Sequence, residues 1–178
     1  NGSGLGKQNA LLLAVGQLRD ATRTANEFST SFAAVQALSI GSLDNKVALD
    51  VLEKYAAKGV LDLPVLQRRF DRLSGDIVRA GYTPAGDGWV NKTLLNLSEL
   101  ITFRRTGVEG ALQDDIAGLV ARVELLLSAG DLKAAVGIVN KLLGGPAQVS
   151  RKWLKDAKAR LGVDTAVNNL FQNALQGA

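Results

Sequence analysis

The side chains able to do chemistry in this sequence are arginine, lysine and carboxylate, and their spacing decides what that chemistry is. Arg68, Arg69, Arg72 and Arg79 recur at intervals that gather them on one flank of a helix. The opposite side is an apolar seam of Leu63, Leu66, Phe70, Leu73 and Ile77. A second amphipathic segment follows, with Trp89 near its start, Lys92 within it, and Phe103, Arg104 and Arg105 at its end. Cations and aromatics set against aliphatics suit a helix lying in a bilayer interface, where each basic residue contributes about 1 kcal/mol on an anionic surface. Residues 62–105 hold seven Arg/Lys against Asp62, Asp71, Asp76, Asp87 and Glu99, so acids dilute the charge. The same pattern serves core-facing helices of a bundle. The narrow seam at 63–77 also suits helix pairing across a homodimer.

A second basic cluster comprises Arg151, Lys152, Lys155, Lys158 and Arg160, opposed only by Asp156. Arg151, Lys155 and Lys158 share a helical face away from Trp153, Leu154 and Ala157. Such a face is solvated by default. Its functional alternative is docking of an acidic protein partner or a phospholipid headgroup, with Arg151, Lys152, Lys155 and Lys158 making the contact. Nucleic acid is not expected, because no aromatic residues interleave the charges and no reader motif accompanies them. Trp153 reads as core packing, with a groove wall for a peptide partner as the alternative.

Other chemistry is excluded by composition. The 178 residues include no histidine, cysteine or methionine. A Ser-His-Asp triad, a thiol nucleophile, a disulfide and a zinc–thiolate site are therefore impossible within this chain. No cofactor or metal is expected, and no enzyme: a carboxylate-only site would be needed, and no pair of acids has a convincing setting. Asp114-Asp115 is an acidic pair in a first helical turn, where the helix dipole favours it. Gly2-Ser-Gly-Leu-Gly-Lys7 lacks phosphate-loop spacing and no strand precedes it. Asn91 and Asn96 match the glycosylation sequon but fall inside an expected helix. The net charge of +4 favours acidic partners without implying nucleic acid. No apolar run approaches the roughly 20 residues that a membrane-spanning helix needs. A chain lacking methionine even at position 1 is expected to be a fragment or a processed product.

The elements that must position these groups are helical throughout. Leu11, Leu12, Val15 and Leu18 mark one helical face, and Phe32, Val35 and Leu38 another. Asp44 is the expected N-cap of a helix carrying Val47, Val51, Leu52 and Tyr55, which Gly59 ends. Pro64 suits the first turn of the seam helix. Residues 81–88 form the clearest loop, and a helix from Trp89 to Phe103 follows. Four helices are expected at 114–129, 131–143, 146–161 and 163–175, with Gly130 as the C′ residue of the first and Asp131 as the N-cap of the second. The expected fold is all-α, a bundle of eight or nine helices with tetratricopeptide-like hairpins at the C-terminal end. Its expected parts are a flexible linker at 1–8, an N-terminal helical part at 9–105 that includes the candidate membrane-binding or dimerisation helices at 62–105, and C-terminal hairpins at 109–178.

Gly130-Asp131-Leu132, Ala134-Ala135, Val139-Asn140 with Leu142, and Trp153-Leu154 with Ala157 resemble, in order and spacing, the C-terminal domain of the mitofilin family. Leu11-Leu-Leu-Ala-Val15 is similar to the family's Leu-x-Leu-Ala-Val opening, and Leu66-Gln-Arg-Arg-Phe70 to its Leu-x-x-Arg-Phe element. The likeness covers roughly 11–176; the loops around Gly41 and at 81–88 lie outside it. The resemblance implies an inner-membrane-anchored protein with a coiled coil, membrane-binding helices and this terminal domain. It implies a role as a membrane-organising scaffold at crista junctions within the MICOS complex, where a small CHCH-type subunit docks on the terminal domain. In alphaproteobacterial relatives the role is in shaping intracytoplasmic membranes. Richness in Ala and Gly leans toward the bacterial inner membrane with the domain facing the periplasm; the mitochondrial inner membrane, facing the intermembrane space, is the alternative. The expected partners are anionic phospholipid, further copies of the chain as a homo-oligomer, and proteins at membrane contact sites. A helical adaptor that binds a peptide or protein without touching lipid is the competing function.

Overall fold

The computed structural model describes residues 2–82 and 115–176, and among them every regular element is a helix. They are α1 (Gly2–Thr22), α2 (Ser29–Leu38), α3 (Leu43–Ala56), α4 (Leu63–Tyr82), α5 (Ile116–Ser128), α6 (Leu132–Val139) and α7 (Gly144–Gln176). The all-α expectation holds. Residues 83–114, with the loop, the Trp89–Phe103 helix and the sequons expected there, lie outside the described residues.

Packing divides the chain differently from the expected boundary near 105. One compact unit takes the residues up to Asp62 together with those from Ala159 onward; the other is Leu63–Lys158. In the first unit, α1 packs on α2 and α2 on α3. Val15, Leu18, Phe28, Phe32, Val35 and Leu52 are buried with Val163, Val167 and Leu170 from the second half of α7. Residues 2–8, expected as a linker, are the first turns of α1, and Gln8 Nε2 donates to the Ala174 carbonyl at 3.3 Å. Gly59 ends the α3 region as expected: its φ is +70°, and any Cβ there would collide with the Asn26 carbonyl oxygen. The N-cap of α3 is Ser42, and Asp44 stands inside the first turn. Of the apolar residues expected on α3, Leu52 is buried and Val51 and Tyr55 pack against the core partly buried. Ala48, Leu52 and Ala56 are buried, while Val47 points outward.

In the second unit α4 packs on α5 and α5 on α6. Leu66, Phe70 and Ile77 of the seam are fully buried. Gly81 lets α4 approach α5 closely, since a Cβ there would lie 2.8 Å from Ile116 Cγ2. The α5–α6 turn forms as read from sequence. Gly130 has φ +83°, Asp131 N–H donates to the Leu126 carbonyl at 2.8 Å, and the Asp131 carboxylate accepts from Ala134 N–H at 2.9 Å.

The largest departure is α7, a single helix of 33 residues where two were expected. Gly162 does not break it. A glycine inside a helix costs only about 1 kcal/mol relative to alanine, and no proline follows it within the helix. With 144–176 continuous, the second hairpin of a tetratricopeptide-like pair is not formed.

Candidate functional site

Two elements on which the family resemblance rests meet in the second unit. Trp153 Nε1 donates to the Leu66 carbonyl at 2.8 Å, and the Trp153 ring meets Phe70 edge-on with centroids 5.0 Å apart. Both side chains are buried, so this is core packing, and the alternative of a groove wall at Trp153 falls. Phe70, expected among the membrane-contacting residues, is likewise interior. It sits in the middle of the seam, and Trp153 covers it.

The arginines beside Phe70 have a different fate. Arg68, Arg69, Arg72 and Arg79 are exposed along one flank of α4. Arg69 pairs with Asp156 of α7 at 3.1 Å, and Arg79 pairs with Asp76 within α4 at 3.1 Å. The Arg69–Asp156 pair ties together the two basic clusters that appear separate in the sequence. Arg72 lies one turn from Arg69, and Lys152 one turn from Asp156. Arg68, Arg69, Arg72, Lys152 and Lys155 thus border a seam whose bridging carboxylate is Asp156. Five cations border one carboxylate along this strip, which makes it locally basic.

The remaining expected residues divide. Arg151 and Lys158 are exposed, and the Lys158 ammonium donates to Asn140 Oδ1 of α6. Arg160, read as part of the same basic cluster, is buried at 5% exposure. Its guanidinium donates to the Thr22 carbonyl and both oxygens of Asp164. Trp89, Lys92, Phe103, Arg104 and Arg105 lie outside the described residues.

Asp115 is the N-cap of α5: one oxygen accepts from Gly118 N–H at 2.8 Å, and the other accepts from the Tyr82 hydroxyl at 3.0 Å. Its expected partner in an acidic pair, Asp114, lies outside the described residues. Donation to Asp115 raises the Tyr82 pKa above its ordinary value, since ionising the phenol would abolish the bond and set two anions together. Tyr82 and Asp115 are the residues bordering 83–114, so this bond spans the base of that segment.

Three open clefts of about 330, 330 and 300 Å³ lie in the first unit. The first, lined by Arg19, Thr22, Arg23 and Asp164, is where the buried Arg160 pair reaches the surface. Each of these three clefts is lined by a single carboxylate, Asp164, Asp44 and Asp50 in turn. Among the described residues no group of His, Cys, Asp or Glu could hold a metal ion, and no helix is long and apolar enough to cross a membrane.

Sequence reading missed the bridging role of Asp156, the burial of Arg160 and the Tyr82–Asp115 bond. The first two had a signal: Asp156 is the lone acid in its run, and Arg160 and Asp164 stand at i,i+4. The third joins residues 33 positions apart and had none.

A family model described as "Mitofilin: Mitochondrial inner membrane protein" matches residues 7–174. A protein named "MICOS complex subunit MIC60" from Pyrenophora tritici-repentis is 26% identical over 94% of this chain and 26% of its own length. The "Probable magnetosome protein Mms36" of Magnetospirillum gryphiswaldense is 28% identical over 92% of this chain and 46% of its own. A MIC60 subunit from Phaeosphaeria nodorum is 26% identical over 94% of this chain and 27% of its own. The chain thus spans between a quarter and a half of the length of these relatives. No solved structure matches.

Proposed function

The chain belongs to the mitofilin family, matched over residues 7–174, and from that premise we propose that it is a non-enzymatic, membrane-organising scaffold domain that lies against an anionic bilayer. The observation that carries this reading is the strip of Arg68, Arg69, Arg72, Lys152 and Lys155 around the Arg69–Asp156 pair. Flexible cations over a rigid aromatic base suit a surface of many phosphates, because no single pocket fixes one ligand. The reading takes the two expected sites, membrane contact on α4 and partner contact on α7, as one face. Trp89, Lys92, Phe103, Arg104 and Arg105 join it on sequence alone. Self-association would multiply weak contacts into stable attachment. The family description, a mitochondrial inner membrane protein, and relatives named for MICOS and for the magnetosome support a role at such a membrane.

Co-sedimentation with phosphatidylcholine vesicles, with and without phosphatidylglycerol, tests this. Pelleting should rise with phosphatidylglycerol, and that anionic-lipid-dependent part should weaken as salt rises. Arg68→Glu combined with Arg72→Glu should lower the partition by about tenfold or more, since each basic residue near the surface is worth about 1 kcal/mol. No pelleting under any condition would favour the lipid-independent adaptor.

A further inference from the structure

The turn between α2 and α3 presents an apolar tip that the scaffold reading leaves unused. Ile40 is 77% exposed, Leu43 84% and Val47 75%. The exposure is built in. Gly41 reverses the chain with φ +86°, and Ser42 N–H closes the turn on the Ser39 carbonyl at 3.0 Å. Leu43 and Val47 stand one helical turn apart, on the side of α3 away from the buried Ala48, Leu52 and Ala56. Ser39 and Asn45, which flank the turn, are buried and joined by an Asn45 Nδ2 to Ser39 Oγ bond at 3.4 Å. Asn173 Nδ2 of α7 donates to Asn45 Oδ1 at 2.9 Å, which anchors the base of the tip. Three aliphatic side chains are thus held out on a fixed polar base.

The shape selects the occupant. Between two open clefts, one lined by Ile40 and the other by Leu43, side chains this exposed project from the turn. Their combined surface is a few hundred Å², short of the roughly 800 Å² per partner that a stable protein interface buries. A bilayer needs no complementary concavity and accepts small apolar knobs at the boundary between headgroups and acyl chains. Around the tip, Lys7 and Asp44 line one cleft with Ile40, while Lys46 pairs with Asp50 at 3.5 Å beside Leu43. The rim is balanced in charge, so attraction to anionic lipid is not its contribution.

We propose that Ile40, Leu43 and Val47 form a hydrophobic wedge that enters the interface of a lipid bilayer, independently of anionic headgroups. This rests on the membrane reading above and adds to it a second contact of different chemistry.

The chain has no cysteine, so Leu43→Cys takes a single nitrobenzoxadiazole label, with Glu53→Cys as an exposed control on the same helix. On phosphatidylcholine–phosphatidylglycerol vesicles the label at 43 should brighten and shift to the blue while the label at 53 does not, and the change should persist in high salt. Ile40→Ser combined with Leu43→Ser, with helical circular dichroism unchanged, should lower the salt-resistant partition at least about tenfold. Salt-sensitive pelleting with an unchanged label at 43 would overturn the wedge and leave the basic-face reading standing. No pelleting on any vesicle would overturn both. A blue shift that follows protein concentration without lipid would overturn the lipid assignment, because a second copy would then cover the tip.

Discussion

Within α7, two stretches of similar composition meet opposite ends. Arg151, Lys152 and Lys155 lie in the open and leave Trp153 and Ala157 to the interior, whereas Arg160, two residues beyond Lys158, is enclosed by the first unit. In the local run of charges they differ by Asp164, one turn beyond Arg160. The facing element differs as well. Lys152 and Lys155 flank Asp156, which Arg69 engages, while Arg160 meets the Thr22 carbonyl and an acid one turn ahead. A basic residue in a helix acquires its role from what is packed opposite it, so a cluster read from sequence can be part surface and part fastener.

Breaking the interior side of that contrast should have the largest effects. Trp153→Ala removes the ring under the basic strip, its contact with Phe70 and its bond to Leu66, and should cost about 3–5 kcal/mol. Calorimetric melting checks this. Arg160→Ala should cost about 3 kcal/mol, because Asp164 and the Thr22 carbonyl lose their shared partner. Lys152→Ala and Lys155→Ala, by contrast, should each stay within about 0.5 kcal/mol of the parent. Equal losses at 155 and 160 would erase the distinction between the two stretches.

Where local rules decide, the fold was legible. Gly130 and Asp131 specify a turn by backbone permissiveness and by one side-chain acceptor, and the turn forms as read. Gly59 likewise ends its segment. The seam of Leu66, Phe70 and Ile77 is interior, as a three-and-four spacing requires. What failed depended on distant neighbours. The Val47 face could not be told from the Leu52 face without knowing where α1 and α7 pack. Asp164 at i,i+4 marked Arg160 as paired, but its burial depends on the Thr22 carbonyl, 138 positions away. The candidate site was legible as two clusters, but their union depends on the Arg69–Asp156 pair, 87 positions apart in the chain.

Gly162 sharpens the contrast from the backbone side, with a smaller effect of opposite sign. If the helix is continuous there, Gly162→Ala should stabilise by about 0.5–1 kcal/mol, because alanine surrenders less backbone entropy. The added methyl would meet Val51 Cγ1 at 3.7 Å, an ordinary contact. The melting temperature should rise by about 2 °C or more for a chain of this size. A fall would mean that 144–176 bends at this residue, as the sequence suggested.

The smallest effect tests the second unit at its edge, where Tyr82 and Asp115 meet. The Tyr82 pKa is raised in the folded chain, chiefly by its bond to Asp115. The bond therefore contributes in full below the ordinary tyrosine pKa of about 10 and is lost as pH rises through the folded value. Neutral solution leaves it intact. Spectrophotometric titration of the chain's two tyrosines should show a component that ionises late. Tyr82→Phe should delete that component, and Asp115→Asn should move it back toward the ordinary value. Asp115→Asn keeps an acceptor for Gly118 N–H, so it separates the phenol's bond from the capping of α5. If the late component survives Tyr82→Phe, the bond at the base of 83–114 does not form, and the two ends of that segment are held by the packing of Gly81 against Ile116 alone.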